Sequence, residues 1–270
     1  MSREQEMQAQ DERIKQQLGR IKQVFLVMSG KGGVGKSSVA INLAVALAGR
    51  GYRVGLLDVD LHGPSTVKML GLEGEPMAAE GEDLLPIPFN ENLTVVSMAS
   101  VLGNPDTAVI WRGPLKISAI RQFISDVRWE DLDYLFVDSP PGTGDEPLTV
   151  AQVIPKAKGI IVTTPQEVAL LDIRKSITFC RQVGMPVFGI IENMSGLVCP
   201  HCGREIDLFS RGGGERTARE MGVPFLGRIP FQPEIVSTSD RGRPYVQNEQ
   251  NGEGPFAPII DIIITKGESP

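Results

Sequence analysis

From Val24 onward, short apolar runs alternate with amphipathic stretches. Val24–Met28, Tyr52–Asp58, Leu93–Met98, Tyr134–Asp138, Gly159–Thr163, Pro186–Glu192 and Phe225–Ile229 are short, apolar and rich in Val, Ile, Leu and Phe. Such runs read as strands buried on both faces. Between most of them lie helical patterns: one running to about Gly49, then Ser65–Leu70, Pro114–Val127, Glu146–Ile154, Glu167–Val183 and Gly214–Met221. Strands alternating with helices predict an α/β fold, a mostly parallel β-sheet flanked by helices on both faces. Two segments break the alternation. Gly71–Asn92 reads as an acidic loop with Gly and Pro, and Asn193–Gly214 as an insertion with its own purpose. The first 22 residues are charged and Gln-rich and read as a frayed or solvated helix outside the core. The apolar tail from Phe256 to Lys266 is expected as a final helix or strand packed on the core. The expected organisation is an N-terminal extension over 1–22 and a single domain over 23–270, with the insertion at 193–214.

Composition narrows the class. The chain has 270 residues, of which 41% are hydrophobic and 22% charged, ordinary values for a globular protein whose core needs no cross-links. With 27 basic and 33 acidic residues, the net charge is −6, which argues against a nucleic-acid partner bound through a basic field. Three cysteines cannot form a disulfide scaffold and suit a reducing compartment. No apolar run reaches the roughly 18 residues of a membrane span, and the N-terminus lacks the apolar core of a signal peptide. A cytoplasmic protein without a membrane partner is expected.

The first strand runs into Gly30-Lys31-Gly32-Gly33-Val34-Gly35-Lys36-Ser37-Ser38. This contains the pattern G-x-x-x-x-G-K-S/T between a strand and a helix, the context of a phosphate-binding loop. Glycines let backbone N–H groups wrap phosphates at a helix N-terminus. Lys36 would reach the β- and γ-phosphates of ATP, and the Ser37 hydroxyl would ligate Mg²⁺. The same stretch also contains G-x-G-x-x-G with Asp58 at the end of the next strand, the spacing of a dinucleotide site. That reading leaves Lys36, Ser37 and the second carboxylate Asp60 without a role, so the nucleoside triphosphate is favoured. Lys31 sits where a cation cannot easily fold back on phosphates already claimed by Lys36, and it is free to project outward to a facing subunit.

Ligands of open parallel sheets bind at the carboxyl ends of the strands. Asp58 and Asp60 close the second strand, and Asp138 closes Leu135-Phe136-Val137. Water activation falls to Asp60, structural or metal support to Asp58, and the metal-side acid is Asp138. Ser139-Pro-Pro-Gly-Thr-Gly-Asp145 follows as a stiff loop able to change when a γ-phosphate leaves. Asp145 reads equally as a helix cap. Asn193, just after a late strand, is a candidate for the adenine edge, with a turn-forming role as the rival.

Cys199-Pro200-His201-Cys202-Gly203 has the C-x-x-C spacing that lets two thiolates bind one metal centre. Two ligands do not complete a zinc or iron–sulfur site, which takes four. Two subunits joined across the nucleotide would supply the other pair. A redox disulfide and half of a shared zinc knuckle stay open as alternatives, with His201 a lesser candidate ligand. Cys180 lies alone on an apolar helix and reads as packing.

Together, GKGGVGKSS, DVDLHGPS, DSPPGTGD, ENMSGLVCPHCG and GRIPFQPEI with SDRGRP resemble the Mrp/ApbC iron–sulfur carrier ATPases, over residues from about 22 to 250. The phosphate loop by itself resembles that of the MinD/ParA/nitrogenase-iron-protein class. The resemblance implies a MinD-like P-loop NTPase fold and a homodimer that sandwiches ATP, with Lys31 acting in trans. It implies slow ATP hydrolysis involving Lys31, Lys36, Ser37 and Asp60. It further implies a 4Fe–4S cluster bridged through Cys199 and Cys202 and passed to apo iron–sulfur proteins. His62 stands where relatives often carry tyrosine. The alternative is a MinD/ParA-like positioning ATPase with a structural zinc at the cysteine pair.

Overall fold

A computed structural model describes residues 3–60, 65–81, 83–98, 100, 113–199, 201–206, 208–248 and 253–267. Of the motif residues above, Leu61, His62, Gly63, Pro64 and Pro200 lie outside the described residues. In chain order the elements are α1 (Arg3–Gly19), β1 (Ile21–Met28), α2 (Lys36–Gly49), β2 (Val54–Asp58), α3 (Thr66–Met69), β3 (Ala78–Glu80), β4 (Asp83–Leu85), β5 (Ile87–Asn90), β6 (Leu93–Ser97), α4 (Gly113–Ser125) and β7 (Leu132–Asp138). They continue with α5 (Asp145–Val153), β8 (Ala157–Thr163), α6 (Glu167–Gln182), β9 (Val187–Glu192), β10 (Leu197–Val198), β11 (Glu205–Ile206), α7 (Gly213–Met221), β12 (Phe225–Arg228), α8 (Pro233–Asp240) and α9 (Ala257–Gly267). Among the described residues, no helix is long and apolar enough to cross a membrane.

Eight strands form the central sheet in the order β12-β9-β8-β1-β7-β2-β6-β5. All neighbours are parallel except β5, which runs antiparallel to β6. Side chains alternate across the sheet with the period of two that a strand imposes. In β1, Val24, Leu26 and Met28 join Ile120, Ile154, Ile173 and Ile177 on one face. Phe25 and Val27 join Leu43, Leu47, Ile259 and Ile263 on the other. α2 is buried along most of its length, which explains why its sequence is apolar nearly all round. Both edge strands slip register: β12 against β9 between Phe225 and Gly227, and β5 against β6 between Pro88 and Asn90.

The sequence reading differs from the structure in three places. The N-terminal helix is not outside the core, because Ile14 and Leu18 are buried in the same cluster as Phe123 and Ile124. Gly71–Asn92 is not all loop. It holds the β3–β4 hairpin and β5, tied down by the bridge between Leu84 and Val127 and by Arg128 on Glu80 and Asp83. β1 begins at Ile21, where the exposed Lys22 pairs with Asp133 across the strands. The tail forms a helix, α9, with Ile259, Ile260 and Ile263 buried.

Candidate functional site

The chain leaves β1 at Met28 and turns through 29–35 into α2. Gly33 and Gly35 adopt left-handed φ values of 78° and 81°. Gly35 admits no side chain, since a Cβ there would lie 2.3 Å from Nδ2 of Asn193. Gly30 is equally confined, because a Cβ would meet the backbone of Asp172 on α6 at 2.5 Å. Gly35 caps α2 without a side-chain acceptor, so the first N–H groups of the helix face an incoming anion.

Three charges gather at the carboxyl ends of the neighbouring strands. Lys36 Nζ lies 2.5 Å from Oδ1 of Asp138 and donates to Ser37 Oγ at 3.2 Å. Both partners are buried, at 5% and 1% exposure. Asp58 stands beside Asp138 in the β2–β7 register. Its Oδ1 accepts the N–H of Asp60 at 3.0 Å, and its Oδ2 accepts the Ser97 hydroxyl at 3.2 Å. Burial, reinforced by the charge of Asp138, pushes the Asp58 carboxyl up to about 7. Asp60 is half-buried on the same edge, and Ser37 and Ser38 are half-buried in the first turn of α2. The fold therefore brings Lys36, Ser37, Asp58 and Asp138 together, with Asp60 next to Asp58 on the same edge. Lys31 leads elsewhere, its ammonium donating to Gln166 Oε1 at 3.3 Å, where Gln166 caps α6.

The loop after β7 crosses the phosphate loop. The Ser139 hydroxyl donates to the Val27 carbonyl at 3.0 Å, and the Gly142 N–H to the Ser29 carbonyl at 2.8 Å. Gly144 caps α5 and Asp145 is its first residue, so the capping role considered for Asp145 belongs to its neighbour. Asn193 is neither exposed nor turn-forming: its Nδ2 donates to the Val34 carbonyl at 2.9 Å, and its backbone N–H to Thr163 at 2.7 Å. It braces the phosphate loop from behind.

The cysteines sit at the tip of the β10–β11 hairpin. The Cys199 N–H donates to Arg204 and the Gly203 N–H to the Cys199 carbonyl, each at 2.9 Å, with Gly203 at a φ of 70°. The Cys199 thiol is held below its ordinary value by the backbone N–H groups of Cys202 and His201 and by the Cys202 thiol. Donors aimed at a sulfur favour the thiolate, which is the form that binds metal. Cys199 is half-buried and Cys202 exposed. Among the described residues, no group of three or more His, Cys, Asp or Glu is arranged to hold a metal ion. Cys180 packs instead, 3.6 Å from the Met28 sulfur, and burial pushes its thiol up to about 12.

Glu192 was not singled out by its sequence pattern. Fully buried at the end of β9, it accepts the Ser195 hydroxyl at 2.5 Å and the N–H groups of Gly212 and Gly214 at 2.9 and 2.6 Å. Arg228 Nε approaches it at 3.5 Å. The available signal was an apolar strand ending in a carboxylate, the same signal that marked Asp138.

Known proteins share the family and the fold of this chain. Residues 20–265 match the family described as ParA: NUBPL iron-transfer P-loop NTPase. The chain is 48% identical over 260 residues to the iron–sulfur cluster carrier protein of Methanocaldococcus jannaschii, covering 96% of this chain and 90% of that protein. It is 45% identical over 258 residues to the cytosolic Fe-S cluster assembly factor CFD1 of Saccharomyces cerevisiae, covering 92% and 88%. Among solved structures, a nucleotide-binding protein from Archaeoglobus fulgidus in complex with ADP superposes with a TM-score of 0.77 at 40% identity, covering 86% of this chain and 91% of that one. The cell division ATPase MinD of Pyrococcus furiosus, at 23% identity and a TM-score of 0.65, shares the fold over 90% of this chain and 99% of its own. A family match across nearly the whole chain, on a sheet that carries a complete phosphate loop and a cysteine hairpin, makes this chain a member of the ParA/NUBPL iron-transfer family of P-loop NTPases.

Proposed function

We propose that this chain is an ATP-hydrolysing carrier of a 4Fe–4S cluster, held between two copies of the chain and handed to apo-proteins in the cytosol. The observation that carries this reading is the β10–β11 hairpin whose tip holds Cys199 and Cys202 three residues apart, closed by the Cys199 N–H on Arg204 and the Gly203 N–H on the Cys199 carbonyl. Each chain offers one cysteine pair, whereas a cluster takes four thiolates, so a second copy completes the set. The names of the relatives support the cargo and the compartment.

In this reading the loop N–H groups and Lys36 hold the phosphates of ATP, and the Ser37 hydroxyl is the protein ligand of Mg²⁺. Asp58 and Asp138 support the metal side, and Asp60 orients the attacking water. Lys31, on the outer flank of the loop beside Gln166, reaches the nucleotide of the facing copy. Asp138 holds the Lys36 ammonium, which spares the core an unpaired buried charge. Phosphate oxygens then take over that ammonium. Asn193 serves the site by fixing the loop.

The test is the iron, sulfide and zinc content of protein purified without oxygen, with its visible spectrum and its mass in solution. Iron and sulfide at cluster stoichiometry per dimer, lost in Cys199→Ala and in Cys202→Ala while nucleotide binding persists, is the expected result. Tightly held zinc without visible absorption would overturn the cargo and leave a positioning ATPase with a structural zinc.

A further inference from the structure

The phosphate loop and the cysteine hairpin meet at two consecutive residues. Asn193 donates to the Val34 carbonyl, 159 residues away in sequence. The Asn193 amide packs directly on the loop, its nitrogen lying where a Cβ at Gly35 would stand. Glu192, immediately before it, pins both ends of the insertion. Ser195 starts the outgoing arm, Gly212 and Gly214 finish the returning one, and all three donate to the Glu192 carboxylate. Both oxygens of the fully buried Glu192 carboxylate are engaged by these donors, and the half-exposed Arg228 pairs with it at 3.5 Å. Packed joints of this kind shift between discrete arrangements and deform little in between.

We propose that Glu192 and Asn193 are positioning residues that link occupancy of the phosphate loop to the geometry of the cysteine hairpin. The link rests on the carrier reading for its purpose: nucleotide would set how firmly the cysteine pair is held. A loop shifted by phosphate moves the Val34 carbonyl and Asn193 with it. The adjoining Glu192 then moves the neck of the insertion, because Ser195, Gly212 and Gly214 have the same carboxylate as their anchor. If Glu192 only capped α7, its loss would lower the melting temperature and leave the hairpin's response to nucleotide intact.

The experiment is hydrogen exchange by mass spectrometry on the full chain without cluster, with and without a non-hydrolysable ATP analogue and Mg²⁺. In the parent, nucleotide is expected to slow exchange in the phosphate loop and to change exchange across 196–214 by about five-fold or more, the low end of typical site-to-site coupling. In Glu192→Gln, one acceptor oxygen becomes an NH₂ facing the N–H donors. The phosphate loop should still be protected, while the response across 196–214 should fall below about two-fold. Ser195→Ala keeps the carboxylate and its backbone donors, so it folds if the glutamine variant does not, and it should weaken the response in part. A parent hairpin that ignores nucleotide overturns the link. So does a Glu192→Gln or Ser195→Ala hairpin that responds as fully as the parent. Iron and sulfide content is measured on separate, anaerobically purified protein. A Glu192-dependent response in a chain that holds no iron would keep the link and reject the cargo.

Discussion

Replacing Asp58 with asparagine tests the electrostatics of the site directly. The carboxyl is fully buried beside Asp138, and its pKa rises from 3.8 to about 7. A folded-state pKa above the unfolded one means the folded chain binds the proton more tightly. The stabilisation is therefore complete below about pH 4 and is lost as the pH rises to about 7. At a little over 1 kcal/mol per pKa unit, the whole span is worth roughly 4 kcal/mol, of which somewhat more than half, about 2–3 kcal/mol, falls between about pH 5 and pH 8. Asparagine keeps the shape, offers an oxygen to the Asp60 N–H and cannot ionise. Asp58→Asn should therefore be more stable than the parent at pH 8, and the gap should shrink by about 2–3 kcal/mol on acidification to about pH 5. Urea unfolding followed by circular dichroism, without nucleotide or magnesium, measures both curves. The reasoning is refuted if the two proteins show the same pH dependence to within about 0.5 kcal/mol, or if the variant is the weaker one at pH 8.

Three further outcomes follow from the phosphate loop and the cysteines. Lys36→Ala should weaken ATP binding by about 100-fold or more in equilibrium titration. Lys31→Ala should bind ATP normally as a monomer but hydrolyse it about 100-fold more slowly, and normal turnover in that variant would remove the trans role. Under native conditions without metal, iodoacetamide should label Cys199 and Cys202 but not Cys180, whose thiol is held near 12 by burial; peptide mapping that finds Cys180 modified at a comparable rate would contradict its packing role.

The buried strands were legible because each is an unbroken apolar run, and the phosphate loop was legible because its glycines, lysine and serine are contiguous. Elements held by distant partners were not. α1 buries only Ile14 and Leu18, one helical turn apart, and the surrounding Gln and Glu dilute any amphipathic signal. β1 starts three residues earlier than its apolar run because Lys22 and Gln23 find partners in Asp133 and in the carbonyl of Gly267. β3, β4 and β5 are three or four residues each, too short for local periodicity; β3 and β4 are held by Val127 and Arg128, and β5 by β6. Glu192 and Asn193 were visible as letters, but their partners, Val34, Gly212, Gly214 and Arg228, are joined only by the fold. The position of Asn193 after a strand allowed an adenine-edge or a turn-forming role, whereas its contact with the Val34 carbonyl is set by residues 159 apart in sequence.

The slipped register at both edges of the sheet bears on how copies of this chain can stack. An open edge is a template onto which another strand can add. β12 is four residues long, and Gly227, where it slips, lies under Ile259 of α9. β5 is also four residues long and contains Pro88, which has no N–H to donate. Neither border presents a regular row of unpaired backbone groups, so strand-by-strand growth into fibres is discouraged at both ends. Molecules that meet in a crowded solution are left with side chains and loops to recognise each other by, and contacts of that kind can be undone.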